Sequence, residues 1–389
     1  MRTEYTKLNQ EKGALLNRLI VFNIIKTEKE TTRIEIAEKT GLRTSTISYI
    51  IHDLKKSNLI KETLIKERSK TKGNKPFIIT LNYENNYLLG IDLKKDVLSM
   101  IGMNLSNQIF SHQSQKFTFR SENEVEDKLI EIIKKVKTKY PDKKLLCVGL
   151  GLPGLIDSDS NEIIISNELG IKHLSLGNKI QSRLKIPCFI ENNANASAYG
   201  EYMLHNRDHN RYLFFVYFHL KRIGEIEKTG IGSGLVINGQ VYHGESYAAG
   251  EIGDIVFSAA RETFEKDVDL HVDLVQLIQK AEKEDSQKAK KIVSQFGSRI
   301  GETISDTINI INPGMVVLGG DYPLESGGFF DSIKKGIEKK LLPFIKDKLS
   351  IQKSKLGKEC VAIGAATIAE KNLLSPQFFE KIINSGGLK

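Results

Sequence analysis

The sequence predicts a small N-terminal domain of three helices and a β-hairpin, followed by a much larger α/β body. Three observations support this division. The excess positive charge is confined to the first 80 residues, and a helical segment with a tight turn leads there into a basic hairpin. Beyond residue 82, apolar strands repeatedly run into polar turns and helices, which is typical of α/β folds with ligand groups at the strand ends.

The charge distribution separates the two parts clearly. Of the 57 Lys/Arg and 48 Asp/Glu residues, 17 and 9 lie in residues 1–80, so this segment has a net charge of +8 and the rest of the chain +1. A local positive excess is typical of a surface that meets a polyanion. We therefore expect the N-terminal segment alone to contact nucleic acid.

Two classes of protein are disfavoured by composition. No apolar run reaches the ~18 residues of a membrane-spanning helix, and the charged start leaves no room for a signal-peptide core, so we expect a cytoplasmic protein with no membrane partner. Cys147, Cys188 and Cys360 lie far apart in apolar stretches without CxxC spacing. This pattern predicts buried, inert thiols rather than a metal or redox site.

Residues 15–54 have the pattern of a helix-turn-helix. Apolar spacing predicts a first helix from Leu15 to about 26–29 and a second over 33–39. Gly41 can take the left-handed conformation that ends a helix, and Thr44 can cap the next one. One face of that third helix is predicted to be buried, through Ile47, Ile50, Ile51 and Leu54.

The opposite face of the third helix carries small hydroxyls and other polar groups near its start. Such side chains enter a major groove without holding the backbone away, and the positive end of the helix favours a phosphate. A face that simply meets water is the alternative. The predicted DNA-contacting residues of this helix are Arg43, Thr44, Ser45, Thr46, Ser48 and Tyr49.

A basic hairpin follows the three helices. Strands predicted over 59–65 and 77–81 flank the segment KERSKTKGNKP at 66–76, which holds five basic residues and one acid. Three helices followed by a basic hairpin is the order of a winged helix, whose wing contacts the DNA backbone or minor groove. The sequence therefore predicts binding of double-stranded operator DNA, with wing contacts from Arg68, Lys70, Lys72 and Lys75.

The body of the chain resembles a known family through six ordered motifs. These are GLPGLID (151–157), ENNANASAYGE (191–201), TGIGSGLVINGQVYHG (229–244), AAGEIGD (248–254), INPGMVVLGG (311–320) and IGAATIAE (363–370). Their order is similar to that of the ROK family of repressors, open reading frames and sugar kinases. The front domain resembles that of the xylose-operon and N-acetylglucosamine repressor branch.

The resemblance implies an α/β protein with a winged helix-turn-helix and then an actin-like (ribonuclease H-like) two-lobed sugar-kinase fold. The implied domains are 1–82, a first lobe over 83–198, and a second lobe over 199–389 whose C-terminal helix returns toward the first. A small-molecule sugar effector in the cleft and a homodimer or homotetramer are also implied. No cofactor is expected.

Two departures from the kinase pattern predict that phosphoryl transfer is lost. Family kinases carry an aspartate where this chain has Asn193, and an amide has no basic site for the proton of a sugar hydroxyl. Their first phosphate loop is glycine-rich, whereas here Asp92 is followed by Leu93, Lys94 and Lys95. We therefore expect no enzyme activity.

Sugar contacts are implied at carboxylates and amides that can bridge adjacent hydroxyls. The histidine that follows in the family is replaced by Asp254, and the cysteine-rich zinc segment is absent, with only His271 in that region. We therefore predict no structural zinc and an altered sugar specificity. The predicted sugar-binding residues are Asn167, Asn192, Asn193, Glu251 and Asp254.

Together these features predict a sugar-responsive repressor of a carbohydrate-utilisation operon, with a xylose-type regulator favoured. Two alternatives stay open. One is a bifunctional sugar kinase with a DNA-binding domain. The other is a DNA-binding regulator whose degenerate cleft binds no small molecule and which is controlled by a protein partner.

Overall fold

The computed structural model describes residues 10–64, 77–207, 211–223, 226–261, 286–321 and 328–384. Within these ranges, a winged helix-turn-helix precedes two five-stranded sheets that enclose a pair of helices. The expected fold class, a winged helix-turn-helix before an actin-like two-lobed body, is confirmed. The predicted wing tip at 66–76 and His271 lie outside the described residues.

The N-terminal domain packs three helices on a small antiparallel sheet of order β1-β3-β2. Its elements are α1 (Gln10–Glu28), β1 (Glu30–Thr31), α2 (Arg33–Thr40), α3 (Thr44–Lys56), β2 (Ile60–Leu64) and β3 (Phe77–Leu81). The predicted apolar face of α3 is confirmed, since all four of its residues are buried in one core with Phe22 and Ile36. Helical spacing alone was enough to identify this face.

Local signals set the bounds of α2. The Thr32 hydroxyl accepts from the Glu35 amide at 3.3 Å, and the Glu35 carboxylate accepts from the Thr32 amide at 2.8 Å, which is a capping box. Gly41 ends α2 with φ 69°, as predicted. The prediction that Thr44 caps α3 is wrong, because extended Arg43 occupies the cap position without a side-chain bond and Thr44 is already helical.

The first lobe is built on a sheet of order β11-β7-β4-β5-β6. Strands β4, β7 and β11 are parallel, while β5 and β6 pair antiparallel with their neighbours. The elements are β4 (Asn86–Lys94), β5 (Asp96–Asn104), β6 (Ile109–Phe117), α4 (Glu122–Lys139), β7 (Lys144–Leu152), β8 (Leu155–Asp157), β9 (Glu162–Ser166), β10 (Ile171–Leu174), α5 (Leu176–Leu184), β11 (Cys188–Asn192) and α6 (Asn193–Glu201). Strands β8 to β10 form a separate small sheet.

The second lobe has a sheet of order β14-β13-β12-β15-β16. Its elements are β12 (Tyr212–Ile223), β13 (Ile226–Ile237), β14 (Gln240–Val241), α7 (Gly253–Arg261), α8 (Gln287–Ile311), β15 (Met315–Gly320), α9 (Phe329–Lys340), α10 (Pro343–Lys346) and β16 (Ser350–Lys353). The chain then forms α11 (Cys360–Leu373) and α12 (Pro376–Asn384). The predicted division at residue 198 falls inside α6, and the domain bounds stay a prediction.

Helices α6 and α11 lie between the two sheets, and small residues let their backbones approach closely. Helix α11 packs on β4 and β7, while α6 packs on α11 and β13. A Cβ on Gly149 would lie 2.0 Å from the Ala365 carbonyl oxygen, and one on Gly364 would lie 1.9 Å from that of Ala196. The ends of α6 and α11 are therefore held in a fixed relation to both sheets.

The C-terminal helix α12 connects the body to the N-terminal domain. The ring of Phe378 packs on Phe189 of β11 with centroids 5.0 Å apart, and Phe379 packs on Phe22 of α1 at 5.4 Å. Near the end of the preceding helix α11, the nearly buried Glu370 carboxylate lies 2.5 Å from the Lys26 ammonium of α1. Helix α12 thus contacts both the first lobe and the helix-turn-helix.

Gly364→Ala should lower the free energy of unfolding by about 1–3 kcal/mol, although alanine favours helices, because the new Cβ meets a backbone carbonyl. Gly13→Ala is the matched control, since an added Cβ there has no atom within 4 Å, and it should raise that free energy by up to about 1 kcal/mol. Urea unfolding followed by circular dichroism measures both. A Gly364→Ala protein as stable as the wild type would contradict the close packing.

Candidate functional site

Four of the five predicted sugar-contacting residues line one cavity between the lobes, about 340 Å³ in volume. Asn167 follows β9, Asn192 and Asn193 lie where β11 meets α6, and Glu251 lies in the segment between β14 and α7. Asp254 is not among the lining residues and is exposed in the first turn of α7. The geometry groups the three amides with one carboxylate and leaves Asp254 aside.

Asn192 stabilises the turn at the floor of this cavity. Its side-chain oxygen accepts from the amides of Ala194 at 2.8 Å and Asn195 at 3.1 Å, so it is the N-cap of α6. Its amide group donates to the Gly154 carbonyl at 2.9 Å. Asn193 is almost buried, and its side-chain oxygen accepts from the Ala194 amide at 2.8 Å. A sugar contact by either residue remains a prediction.

Glu251 is brought to the cavity by a backbone that packs closely on β13. Gly250 has φ 87°, and a Cβ there would lie 2.5 Å from the Ser233 carbonyl oxygen. The Ser233 hydroxyl donates to the Gly250 carbonyl at 2.8 Å. Only glycine fits this position, which explains the glycine before the carboxylate. Glu251 is exposed and lines the same cavity as Asn193, so polar side chains from both lobes border it.

Lys94, at the end of β4, pairs with carboxylates of both lobes. Strand β4 continues through Lys94, and a turn at Lys95 leads directly into β5. The Lys94 ammonium lies 3.1 Å from the Asp92 carboxylate and forms a closer ion pair with Asp321, which follows β15 in the second lobe. A side-chain cation therefore joins the two lobes at the end of β4.

Burial sets the electrostatics of this lysine bridge. Burial raises the pKa of Asp92 to about 6, although the adjacent ammonium of Lys94 opposes the shift. The Lys94 pKa lies above its ordinary value, because the attraction of two carboxylates outweighs its burial. The bridge is thus a partly buried cation shared by two acids, and removal of the cation would leave both carboxylates uncompensated.

The glycines of β13 have packing partners. A Cβ on Gly234 would lie 2.5 Å from the Ala194 carbonyl oxygen of α6, and one on Gly230 would lie 2.3 Å from the His219 ring. These contacts explain Gly230 and Gly234 by packing. A Cβ on Gly232 would lie 3.6 Å from the Ala194 Cβ, an ordinary contact, so packing does not require that glycine.

Helix α3 presents its predicted DNA-contacting end to solvent. Arg43, Thr44 and Ser45 are exposed at its start, Thr46 is partly buried, and Tyr49 is 61% exposed with Arg18 above its ring. Ser48 is half-buried, and its hydroxyl accepts from Arg33 at 3.3 Å. The predicted wing residues Arg68, Lys70, Lys72 and Lys75 lie outside the described residues.

Arg33 is a residue of this surface that sequence reasoning missed. Its guanidinium donates to Glu62 of β2 at 2.6 Å as well as to Ser48, so it joins α2, α3 and the wing strand. Burial raises the pKa of Glu62, but hydrogen bonds from Arg33 and Lys55 outweigh it and hold that pKa below its usual range. No sequence spacing marks this pairing, because Arg33 and Glu62 lie 29 residues apart.

Other groups of the described part add no reactive centre. Cys147, Cys188 and Cys360 are buried and unbridged, as predicted, and burial raises the pKa of each thiol. The described ranges contain no group of three or more His, Cys, Asp or Glu side chains placed to hold a metal ion. None of the helices described is long and apolar enough to cross a membrane.

Known proteins resemble this chain over nearly its whole length. The family model described as ROK family matches residues 88–268 and 258–372. The chain is 26% identical to the xylose repressor of Bacillus spizizenii, over 92% of this chain and 96% of that protein. It is 22% identical to the DNA-binding transcriptional dual regulator NagC of Escherichia coli K12, over 95% and 96%.

Solved structures share the fold. A ROK family transcriptional regulator, a homologue of the E. coli MLC protein, superposes with a TM-score of 0.76 at 18% identity and covers 95% of this chain and 99% of its own. A ROK family glucokinase from Streptomyces griseus, with glucose and AMPPNP, reaches 0.57 at 18% identity over 73% and 99%. The regulator therefore matches the N-terminal domain as well, whereas the kinase leaves about a quarter of this chain unmatched.

Lys94→Met should lower the free energy of unfolding by about 3–5 kcal/mol at pH 8, because the buried Asp92 carboxylate and the partly buried Asp321 carboxylate lose their cation. The loss should be smaller at pH 5. Asp92 has a raised pKa, so protonation there relieves the unpaired charge. Urea unfolding at both pH values measures the effect, with the exposed neighbour Lys95→Met as control. An equal loss of unfolding free energy at pH 5 and pH 8 would contradict the pairing of Lys94 with Asp92.

Proposed function

This chain belongs to the ROK family, and we propose that it is a sugar-responsive transcriptional repressor of a carbohydrate-utilisation operon. In this proposal the winged helix binds double-stranded operator DNA, and the interlobe cavity binds the sugar that releases it. The chain acts as a homodimer or homotetramer, since two winged helices match the two halves of a palindromic operator. It has no kinase activity.

The observation that carries the proposal is the two-sided character of α3. Its apolar face is completely buried, while Arg43, Thr44 and Ser45 at its start are exposed together with Tyr49. A helix placed in this way at the surface of a winged helix-turn-helix presents its first turn to the major groove. The net charge of +8 over residues 1–80 supports contact with a polyanion.

The cavity chemistry and the relatives support a sugar effector. Asn167, Asn193 and Glu251 line one cavity of about 340 Å³, which is large enough for one small ligand. The relatives include xylose repressors and N-acetylglucosamine repressors. We propose a pentose, with D-xylose as the first compound to test.

Loss of kinase chemistry is supported by two features of the cleft. Asn193 has an amide where family kinases carry an aspartate, so it cannot accept the proton of a sugar hydroxyl. Lys94 bridges Asp92 and Asp321 where nucleotide phosphates would enter. The bifunctional-kinase alternative predicts that an ATP-turnover assay with a sugar panel detects a product. We expect none.

A continuous set of packed elements supports coupling of the two sites. Asn192 and Asn193 begin α6, α6 packs on α11, and Glu370 near the end of α11 pairs with Lys26 of α1. Helix α12 adds the contact of Phe379 with α1. In the proposed mechanism, sugar shifts the lobes and thereby α12, so that the paired winged helices no longer match the operator.

Glu251→Gln should raise the sugar dissociation constant by about tenfold or more, since a charge-assisted hydrogen bond contributes about 1.5–3 kcal/mol. Operator affinity without sugar should stay within twofold of the wild type. Fluorescence anisotropy on DNA from upstream of its own gene, with a panel of pentoses, hexoses and amino sugars, measures both. Glu245→Gln, an exposed acid of the same segment, is the matched control.

The same titration separates the alternatives. Release of DNA by one sugar supports the repressor and names its effector, because sugar and operator must weaken each other by the same factor. DNA binding that no sugar changes favours control by a protein partner. Absence of any DNA binding would refute the proposal.

Arg43→Ala should weaken operator binding and reduce the slope of log K against log salt concentration by about 1, if its guanidinium neutralises one phosphate. Arg43 is exposed at the start of α3. Lys56→Ala, exposed in the last turn of the same helix, serves as control and should leave the slope unchanged. An unaltered slope for Arg43→Ala would place the backbone contact elsewhere.

A further inference from the structure

The segment between β14 and α7 contacts the first lobe at a place separate from the sugar cavity. It starts at Tyr242, and its His243 and Tyr247 side chains point toward the first lobe, while Glu251 lies at its far end. The segment is compact, since the Ala249 amide donates to the His243 carbonyl at 3.0 Å. A displacement of His243 or Tyr247 would therefore also displace the backbone that leads to Glu251.

His243 bonds to a buried carboxylate at the end of β11. Its Nε2 lies 2.8 Å from Glu191 Oε2, and the Ser158 hydroxyl lies 3.2 Å from the same nitrogen. The Glu191 side chain is 3% exposed, and its other oxygen accepts from the Asn192 amide at 2.8 Å and the Asn195 side chain at 3.3 Å. One carboxylate thus joins the start of α6 to the second lobe.

Tyr247 makes the second connection. Its hydroxyl donates to Asp159 Oδ2 at 3.0 Å, in the turn between β8 and β9, and its ring lies 5.6 Å from that of His243. The two bonds reach different elements of the first lobe, so together they restrict rotation as well as translation of the segment. We call the four residues His243, Tyr247, Glu191 and Asp159 the interlobe latch.

The latch and the sugar cavity share a strand end but face different spaces. Successive side chains of a strand point to opposite sides. Glu191 accordingly lines a second polar cavity of about 390 Å³ with His243, Asp159 and Lys371, whereas the next residue, Asn192, lines the sugar cavity. The latch residues thus lie behind the sugar cavity without lining it.

We propose that His243 and Tyr247 are positioning residues for the effector site, which hold segment 242–251 of the second lobe against the first and so set Glu251 opposite Asn193. This inference rests on the proposed sugar-binding function. Neither His243 nor Tyr247 lines the sugar cavity. It also implies that sugar affinity depends on the latch bonds being made.

The latch should also respond to pH in a defined direction. Burial opposes protonation of His243, but the hydrogen bond and charge of Glu191 outweigh it, so the His243 pKa lies above its ordinary value of 6.5. The charged groups around His243 are Glu191 from β11, Asp159 from the β8–β9 turn and Lys371 from α11. The imidazolium bond is thus complete below pH 6.5 and weakens as the pH rises through the raised value.

The test combines hydrogen exchange with sugar binding on the full chain. Tyr247→Phe removes the hydroxyl that donates to Asp159, and His243→Phe removes the bond to Glu191. Tyr242→Phe is the matched control, because Tyr242 is an exposed tyrosine of the same segment. Without sugar, amide exchange in segment 242–251 should increase about tenfold in the two latch variants and less than twofold in the control. Calorimetry with D-xylose should show dissociation constants raised about tenfold in the same two variants.

Amide exchange is measured without sugar. It therefore tests the latch even if the proposed sugar-binding function is wrong. If D-xylose binds no protein, including the wild type, the pentose proposal fails and the exchange data still decide whether the latch exists. Unchanged exchange in both latch variants would overturn the latch. Increased exchange with unchanged D-xylose affinity would overturn its positioning role.

A pH series distinguishes the latch from a general packing role. Protection of segment 242–251 in the wild type, corrected for intrinsic exchange, should fall as the pH rises above 6.5 through the raised pKa of His243. His243→Gln keeps an amide that can donate to Glu191, so it should retain partial protection with no pH dependence. Parallel pH profiles for the two proteins would exclude His243 as the responsible group.

Discussion

The close contact of α6 and α11 between the two sheets is the constraint on which the rest of the structure depends. Each helix is in backbone contact with its neighbours, and Gly149, Gly234 and Gly364 leave no room for even one Cβ. Such a contact cannot deform gradually, because protein interiors are close-packed. We therefore expect the residues at the ends of α6 and α11 to move only together with the sheets.

Both ends of this helix pair carry functional groups. Asn192 and Asn193 begin α6 at the cavity, and Glu370 near the end of α11 pairs with Lys26 of the N-terminal domain. The contacts of α12 with Phe22 and Phe189 extend the same connection. The cavity and the predicted DNA-contacting surface lie on separate domains and are thus linked by packed elements, which can carry energetic coupling.

The cleft of this kinase-type fold is joined by a lysine at the end of β4. The Lys94 ammonium is shared by Asp92 and Asp321 of the two lobes, and Gly230 and Gly234 of β13 pack against His219 and α6. Carboxylate and amide groups remain at the sugar side of the same cleft. Recognition of hydroxyls needs only such hydrogen-bonding groups, whereas transfer of a phosphoryl group needs a base and an open phosphate cradle.

Properties that depend on neighbours in the chain were determined by the sequence itself. The buried face of α3, the left-handed end of α2 at Gly41 and the burial of three cysteines in apolar stretches follow from spacing and local composition. The cap of α3 is the exception. The sequence predicted Thr44 at this position, but the backbone angles of Arg43 make Arg43 the cap residue, and Thr44 is already helical. The resemblance to the ROK family also implied sugar contacts at Asn167, Asn192, Asn193 and Glu251, and these four residues line one cavity.

Only the tertiary structure decided which distant side chains meet. Lys94 reaches Asp321 across 227 residues, and His243 reaches Glu191 across 52, with no periodicity to connect either pair. The same holds for Asp254, which lies close to Glu251 in sequence but outside the cavity, because α7 begins between them and turns its side chain outward. Hydrophobic spacing specifies which face of an element is buried, whereas pairs across the lobes depend on how two sheets dock on α6 and α11.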